Sequence, residues 1–267
     1  EERHARRRAA GLAEDPLAVL ISRRFDIPWE AGLFQAGAQP VVIYTRVAHS
    51  GAEELRFRGH RVFGELIGRT TTTQMLLCGI LGRMLVDDDI AVVDDIVTAL
   101  SSADPRLWPF KITRLAAAYG HATFGMATTF VASEGAIFGA QRFQEIGEAL
   151  IQLHRRIVEE QLADDELVAI LREEIVGFSS HYADPRFDGL LGQIIKRGRH
   201  ERPFMRLCVH AAQLGRTKLG IEPHVFFALT ALCLDMGMTP YEIGVFSMLI
   251  LFHDAVGNAS EGARQQA

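Results

Sequence analysis

The chain has 267 residues, 48% of them hydrophobic and 23% charged, which is enough to bury the core of one large domain or two small ones. Its net charge of −5 argues against a nucleic-acid binder, which needs surplus Lys and Arg on one face. The strongly apolar runs stop short of the ~20 residues that span a bilayer, and no apolar segment follows the basic N-terminal run, so a cytoplasmic protein without membrane contact is expected. RHARRR, residues 3–8, reads as a solvated tail. PVVIYTRV, residues 40–47, has strand composition, and ELRFRGHRVF, residues 54–63, can pair with it in a small hairpin.

From there the pattern is helical. GELIGRTTTTQMLLCGILGRML, residues 64–85, carries apolar residues at helical spacing up to an acidic stop at Asp87–Asp89. IAVVDDIVTALSS is closed by Asp104-Pro105 and FKITRLAAAYG by Gly120. The small-residue stretch ATFGMATTFVASEGAIFGA, residues 122–140, ends in glycines spaced like those of a loop that lets a ligand approach the backbone. FQEIGEALIQLHRRIVEEQ and DDELVAILREEIVG are amphipathic. DPRFDGLLGQIIKRG, PFMRLCVHAAQLGRTK, PHVFFALTALCLDMG and PYEIGVFSMLILFHDAVG complete the series. Pro203, Pro223 and Pro240 are placed as first-turn prolines. Two runs, HVFFALTALCL and VFSMLILF, are apolar on all sides and must be buried on all sides, in a layered core or a homodimer interface. Cys78, Cys208 and Cys233 lie in apolar runs without CxxC or Cys/His spacing. They read as core residues in a reducing compartment, and no metal site is expected. The class is all-α with one short N-terminal hairpin.

The order of three segments resembles the citrate synthase family. LRFRGHRVFGELIGRTTTTQMLLCGILGRML is similar to its "RGY…EL" opening, VGFSSHYADPRFDGLL to its "GFGH…DPR…LL" loop, and GIEPHVFFALTALCLDMGMTPYEIGVFSMLILF to its "NVDGALAALLLDLGFPPELGRALFAIGR" region. The resemblance covers roughly residues 55–260, and the short length is closest to the citryl-CoA lyase branch. It implies an all-α homodimer with a large and a small domain. On that reading residues 1–35 form an N-terminal tail and arm, 36–145 with 241–267 the large domain, and 146–240 the small one. The family makes or breaks a C–C bond between a coenzyme A thioester and an oxo-acid. A coenzyme A thioester is therefore an allowed substrate, and no cofactor is required.

The same comparison removes the family's chemistry. Its "HGGA" histidine, which polarises the thioester carbonyl, aligns with Ile137. Its catalytic aspartate aligns with Phe226, and a carboxylate-binding arginine with Ile250. Its "DHG" segment becomes SSADPRLWPF, without a histidine, and much of its C-terminal Arg-Pro segment is missing. Enolising a thioester needs a base and an acid on the carbonyl oxygen, and neither Phe nor Ile supplies them. The resemblance leaves Arg186 as the DPR arginine, a carboxylate anchor or one half of a buried ion pair. Asp184 reads as a cap for the following helix. His181 matches the "GFGH" histidine, with Ser180 the alternative register, and is either functional or a structural loop histidine. Glu134 is paired, exposed or functional, and His121 faces the cleft or solvent. Phe138 joins Ile137, Phe226 and Ile250 as apolar lining. Gly139, Gly177 and Phe178 stand where the family's loops bind coenzyme A. The expectation is a citrate synthase-fold enzyme diverted to a C–C lyase, condensation or cyclisation reaction on an apolar carboxylated or thioester small molecule, as specialised biosynthesis would use. The rival expectation is a non-catalytic homodimer that binds a ligand or partner.

Overall fold

The computed structural model describes residues 19–21, 42–44, 48–50, 55–101, 107–134, 139–173, 178–180 and 184–265. The chain falls into two compact units, residues 1–85 and 86–267. In the first, five short strands follow one another across one sheet: β1 (Val19–Ile21), β2 (Val42–Tyr44), β3 (Ala48–Ser50), β4 (Leu55–Phe57) and β5 (His60–Arg61). β1 pairs parallel with β2, Val19 opposite Val42. The remaining pairs are antiparallel, with Tyr44 opposite His49, Ala48 opposite Phe57 and Arg56 opposite Arg61. The expected hairpin is thus part of a larger sheet.

The single helix expected across residues 64–85 is interrupted. Val62–Leu66 forms one π-helical turn, and Ile67 is extended. Gly68 then takes φ +77°, a conformation that a Cβ disfavours. Helix α1 (Thr72–Leu81) starts afresh from a capping box, in which Gln74 N–H donates to Thr71 Oγ1 at 3.1 Å and Thr71 N–H to Gln74 Oε1 at 2.8 Å.

The second unit is helical. Its elements are α2 (Asp87–Leu100), α3 (Trp108–Tyr119), α4 (Ala122–Glu134), α5 (Ala140–Glu160), α6 (Asp164–Glu173), α7 (Pro185–Lys196), α8 (Pro203–Leu214), α9 (Val225–Asp235) and α10 (Pro240–Arg264). Asp87–Asp89, expected as a stop, form the first turn of α2, where their charge complements the helix dipole. Most of the small-residue stretch is helix α4, and residues 135–138 of its glycine-bearing end lie outside the described residues. The helix packs on α3 and α10, and the hydroxyls of Thr113 and Thr129 meet at 2.5 Å in the buried seam. Pro203 and Pro240 open their helices, whereas Pro223 does not. It lies in β7 (Glu222–Pro223), antiparallel to β6 (Ser179–Ser180), with Ser179 opposite Pro223.

The core has two clusters. In one, α10 packs on α3, α4 and α5; in the other, α9 lies against α5, α7 and α8, with α2 on α7 and α6 on α8. α9 is buried from Val225 to Leu234 except at the half-buried Phe226, as its all-round apolar pattern requires. α10 leaves Phe252 of its apolar run 43% exposed in the single chain, and Tyr241 in its first turn 69%. At 25 residues it is long and apolar enough, by length and composition alone, to cross a membrane. Its packing on three neighbouring helices, with Asp254 buried in it, makes it a core helix. Two glycines set its approach. A Cβ on Gly244 would sit 2.7 Å from the Ala140 carbonyl oxygen, and one on Gly262 would sit 2.4 Å from that of Arg114. Cys78, Cys208 and Cys233 are free and buried, and burial raises their thiol pKa values.

Candidate functional site

Three of the residues singled out by the sequence, Asp184, Arg186 and Phe226, come together at the N-termini of α7 and α9. Pro185 opens α7, and Asp184 caps it by accepting the Arg186 N–H at 3.1 Å, the cap role read from the sequence. The Asp184 carboxylate also takes the Arg186 guanidinium in two places, Nε to Oδ1 at 2.8 Å and Nη2 to Oδ2 at 2.9 Å. The Arg186 side chain is 31% exposed and that of Asp184 6%. Burial alone would push the Asp184 carboxyl up, but the hydrogen bonds and charge of Arg186 outweigh it and hold the group below the usual carboxylate range.

His224 faces this pair. It is the N-cap of α9, its Nδ1 accepting the Phe226 N–H at 3.2 Å, and its backbone N–H donates to the Phe178 carbonyl at 2.8 Å. Its Nε2 lies 3.9 Å from Asp184 Oδ2. Burial holds the imidazole below its ordinary pKa, with Asp184 opposing and Arg186 and Arg142 reinforcing the shift. The Phe226 ring sits between those of His224, at 4.3 Å, and Phe143 of α5, at 4.6 Å. The sequence reading missed His224. Its signal was a histidine directly ahead of an all-apolar helix, two residues before Phe226.

The other candidates are dispersed. Phe178 is fully buried edge-on to Phe227 at 5.0 Å, and what it gives this corner is its carbonyl. Glu134 is exposed and accepts the Ala140 N–H at 3.0 Å, capping α5. Gly139 precedes that helix in close contact, a Cβ there falling 2.7 Å from Glu134 Cα. His121 is exposed at the start of α4, where its carbonyl accepts the Phe124 and Gly125 N–H groups. Ile250 is buried in α10 at 5% exposure. His181, Ile137, Phe138 and Gly177 lie outside the described residues. Arg186 also borders an open groove of about 470 Å³ between α2 and α7, lined by Thr98, Ala99, Pro185 and Leu190 among others.

No family model and no curated protein matches the chain. Solved structures do. It is similar to citryl-CoA lyase from Hydrogenobacter thermophilus, with TM-score 0.70 and 15% identity over 84% of this chain and 88% of that one. It is also similar to ATP citrate lyase from Methanosaeta concilii in complex with (3S)-citryl-CoA, with TM-score 0.66 and 13% identity over 91% of this chain. A third match is ATP citrate lyase from Methanothrix soehngenii in complex with citrate and coenzyme A, with TM-score 0.66 and 13% identity over 98% of this chain. The chain spans less than half of those two lyases, 43% and 45%. At these identities the likeness speaks for architecture: the chain has the citrate synthase-like helical fold.

Proposed function

We propose that the chain is a citrate synthase-fold enzyme diverted from citrate chemistry, acting as a C–C lyase, condensing or cyclising catalyst on an apolar carboxylated or thioester ligand. One observation carries the reading. Phe226, the position that the resemblance gives to the catalytic aspartate, is an aromatic ring held between His224 and Phe143. Arg186 is the anchor for the ligand carboxylate, since its planar fork suits a carboxylate in two places. The neighbours that bind citryl-CoA, or citrate with coenzyme A, support a thioester as one ligand class. Assays with acetyl-CoA plus oxaloacetate, and with citryl-CoA, test the diversion. No turnover is expected, and rates of ~1–1000 per second overturn it.

A second reading, a non-catalytic ligand-binding homodimer, is favoured by the closed state of Arg186, whose fork Asp184 already fills. Both readings include a homodimer. It is supported by a stripe of exposed apolar residues at helical spacing on α3, Trp108, Ile112, Leu115 and Tyr119, together with Phe124 and Val131 on α4. Sedimentation should give a dimer at micromolar concentration and a monomer for Leu115→Asp. A wild-type monomer would count against both.

A further inference from the structure

Three groups meet at the α7–α9 corner, and only two of them are joined. Asp184 is held by Arg186 through two hydrogen bonds of 2.8 and 2.9 Å, while Asp184 Oδ2 stands 3.9 Å from His224 Nε2. That gap is too long for a hydrogen bond and short enough for a side-chain rotation to close. The His224 ring cannot present either nitrogen at will. Its Nδ1 accepts the Phe226 N–H, so the neutral ring carries its proton on Nε2. The nitrogen aimed at Asp184 is therefore a donor. The charged groups that act on this ring are Asp184 and Arg186 on the α7 side and Arg142 on α5. Burial favours the neutral ring, which keeps this tautomer in place at neutral pH.

We infer that His224 is the second seat of the Asp184 carboxylate: when a ligand carboxylate reaches Arg186 from the groove between α2 and α7, Asp184 shifts to the His224 Nε2–H. This rests on Arg186 being the carboxylate anchor. One guanidinium does not neutralise two carboxylates, so the arriving charge loosens the resident one. Asp184 is not left unpaired, because the Arg186 backbone N–H still donates to its Oδ1 and the imidazole supplies a further donor. No proton is transferred. His224 acts as a positioning residue that receives the displaced acid and lets an anion bind without stranding a buried charge. The groove beside Arg186 is largely apolar, through Ala99, Pro185 and Leu190. The ligand class is accordingly a carboxylate on an apolar body.

The experiment uses benzoate as probe on the full chain, with calorimetry and histidine-selective nitrogen NMR. His224→Asn is the key variant. Asparagine is a strong N-cap, so it keeps an acceptor for the Phe226 N–H while it removes the Nε2–H, together with the ring contact to Phe226. Wild type should bind benzoate and show His224 as the Nε2–H tautomer, its Nε2–H resonance moving downfield on saturation. His224→Asn should melt within a few degrees of wild type and bind about fivefold more weakly, the size of one hydrogen bond. Asp184→Asn should bind more tightly, since the resident competitor is neutral. If Asp184→Asn binds but His224→Asn matches wild type, or the His224 resonance does not move, the second seat is disproved while the anchor stands. If neither wild type nor Asp184→Asn binds benzoate, the anchor reading of Arg186 fails and the exchange fails with it.

Discussion

Phe226 of α9 and Phe143 of α5 hold their ring centroids 4.6 Å apart, so the position at which the resemblance calls for the catalytic aspartate is spent on a contact between helices. Replacing Phe226 with alanine removes two aromatic contacts and leaves a void. We expect a loss of about 2–3 kcal/mol in urea unfolding. Phe226→Asp should show no gain of citrate synthase turnover, because the position aligned with the family's acid on the carbonyl is still Ile137. An unchanged midpoint for the alanine variant would show that the ring bears no structural load.

His224 predicts an acid-sensitive stability. Its folded pKa lies below the ordinary histidine value of about 6.5, through burial first. The unfolded chain therefore takes up the proton before the native one does, and stability rises with pH in this range. The contribution is complete above about pH 6.5 and is lost as pH falls through the folded value. Protonation of Nδ1 would also remove the acceptor that caps α9. His224→Asn should flatten the slope of unfolding free energy as pH falls below about 6.5. A slope equal to that of wild type assigns the acid sensitivity elsewhere.

Asp235 ties the end of one helix to the start of another. Its carboxylate accepts the N–H groups of Phe204 and Met205 at 2.9 and 2.8 Å, at the N-terminus of α8. Burial raises its pKa despite those bonds. Asp235→Ala should cost about 1–2 kcal/mol, and Asp235→Asn less, because the amide keeps an acceptor. Equal losses in thermal melts would mean that the charge itself matters.

Thr113 and Thr129 share a buried hydroxyl contact in which one donates its single proton to the other, and the remaining hydroxyl donates within its own helix, to the carbonyl of Pro109 or Gly125. Thr113→Val and Thr129→Val should each cost about 1 kcal/mol by leaving the partner hydroxyl short of one bond. The double variant should cost less than the sum, because no unsatisfied group then remains. Additive losses in a double-mutant cycle would rule the pairing out.

The helical class was legible because burial writes itself into apolar spacing: α9 reads as apolar on every side and is buried nearly throughout. α4 was not, since Phe124, Met126, Phe130 and Val131 are scattered around it among Ala, Gly, Ser and Thr and form no single apolar stripe to recognise. The break at Gly68 and Thr71 was equally hidden, because capping depends on backbone angles rather than on hydrophobicity. In the site, the Asp184 cap is local and was legible, whereas Arg186 was read as a carboxylate anchor or one half of an ion pair without its partner, which the structure gives as Asp184. The approach of His224 to Asp184, forty positions apart in the sequence, depends on how α7 and α9 pack. No periodicity encodes that.

Gly244 and Gly262 mark two points on α10 about 27 Å apart, at 1.5 Å per residue, and at each a neighbouring backbone carbonyl occupies the space of a side chain. The helix is pinned like a bar held at both ends, by α5 near its start and by α3 near its finish. Sliding α10 by a turn would drive side chains into both carbonyls. The bundle of α3, α4 and α10 is thus locked in register at both ends of α10.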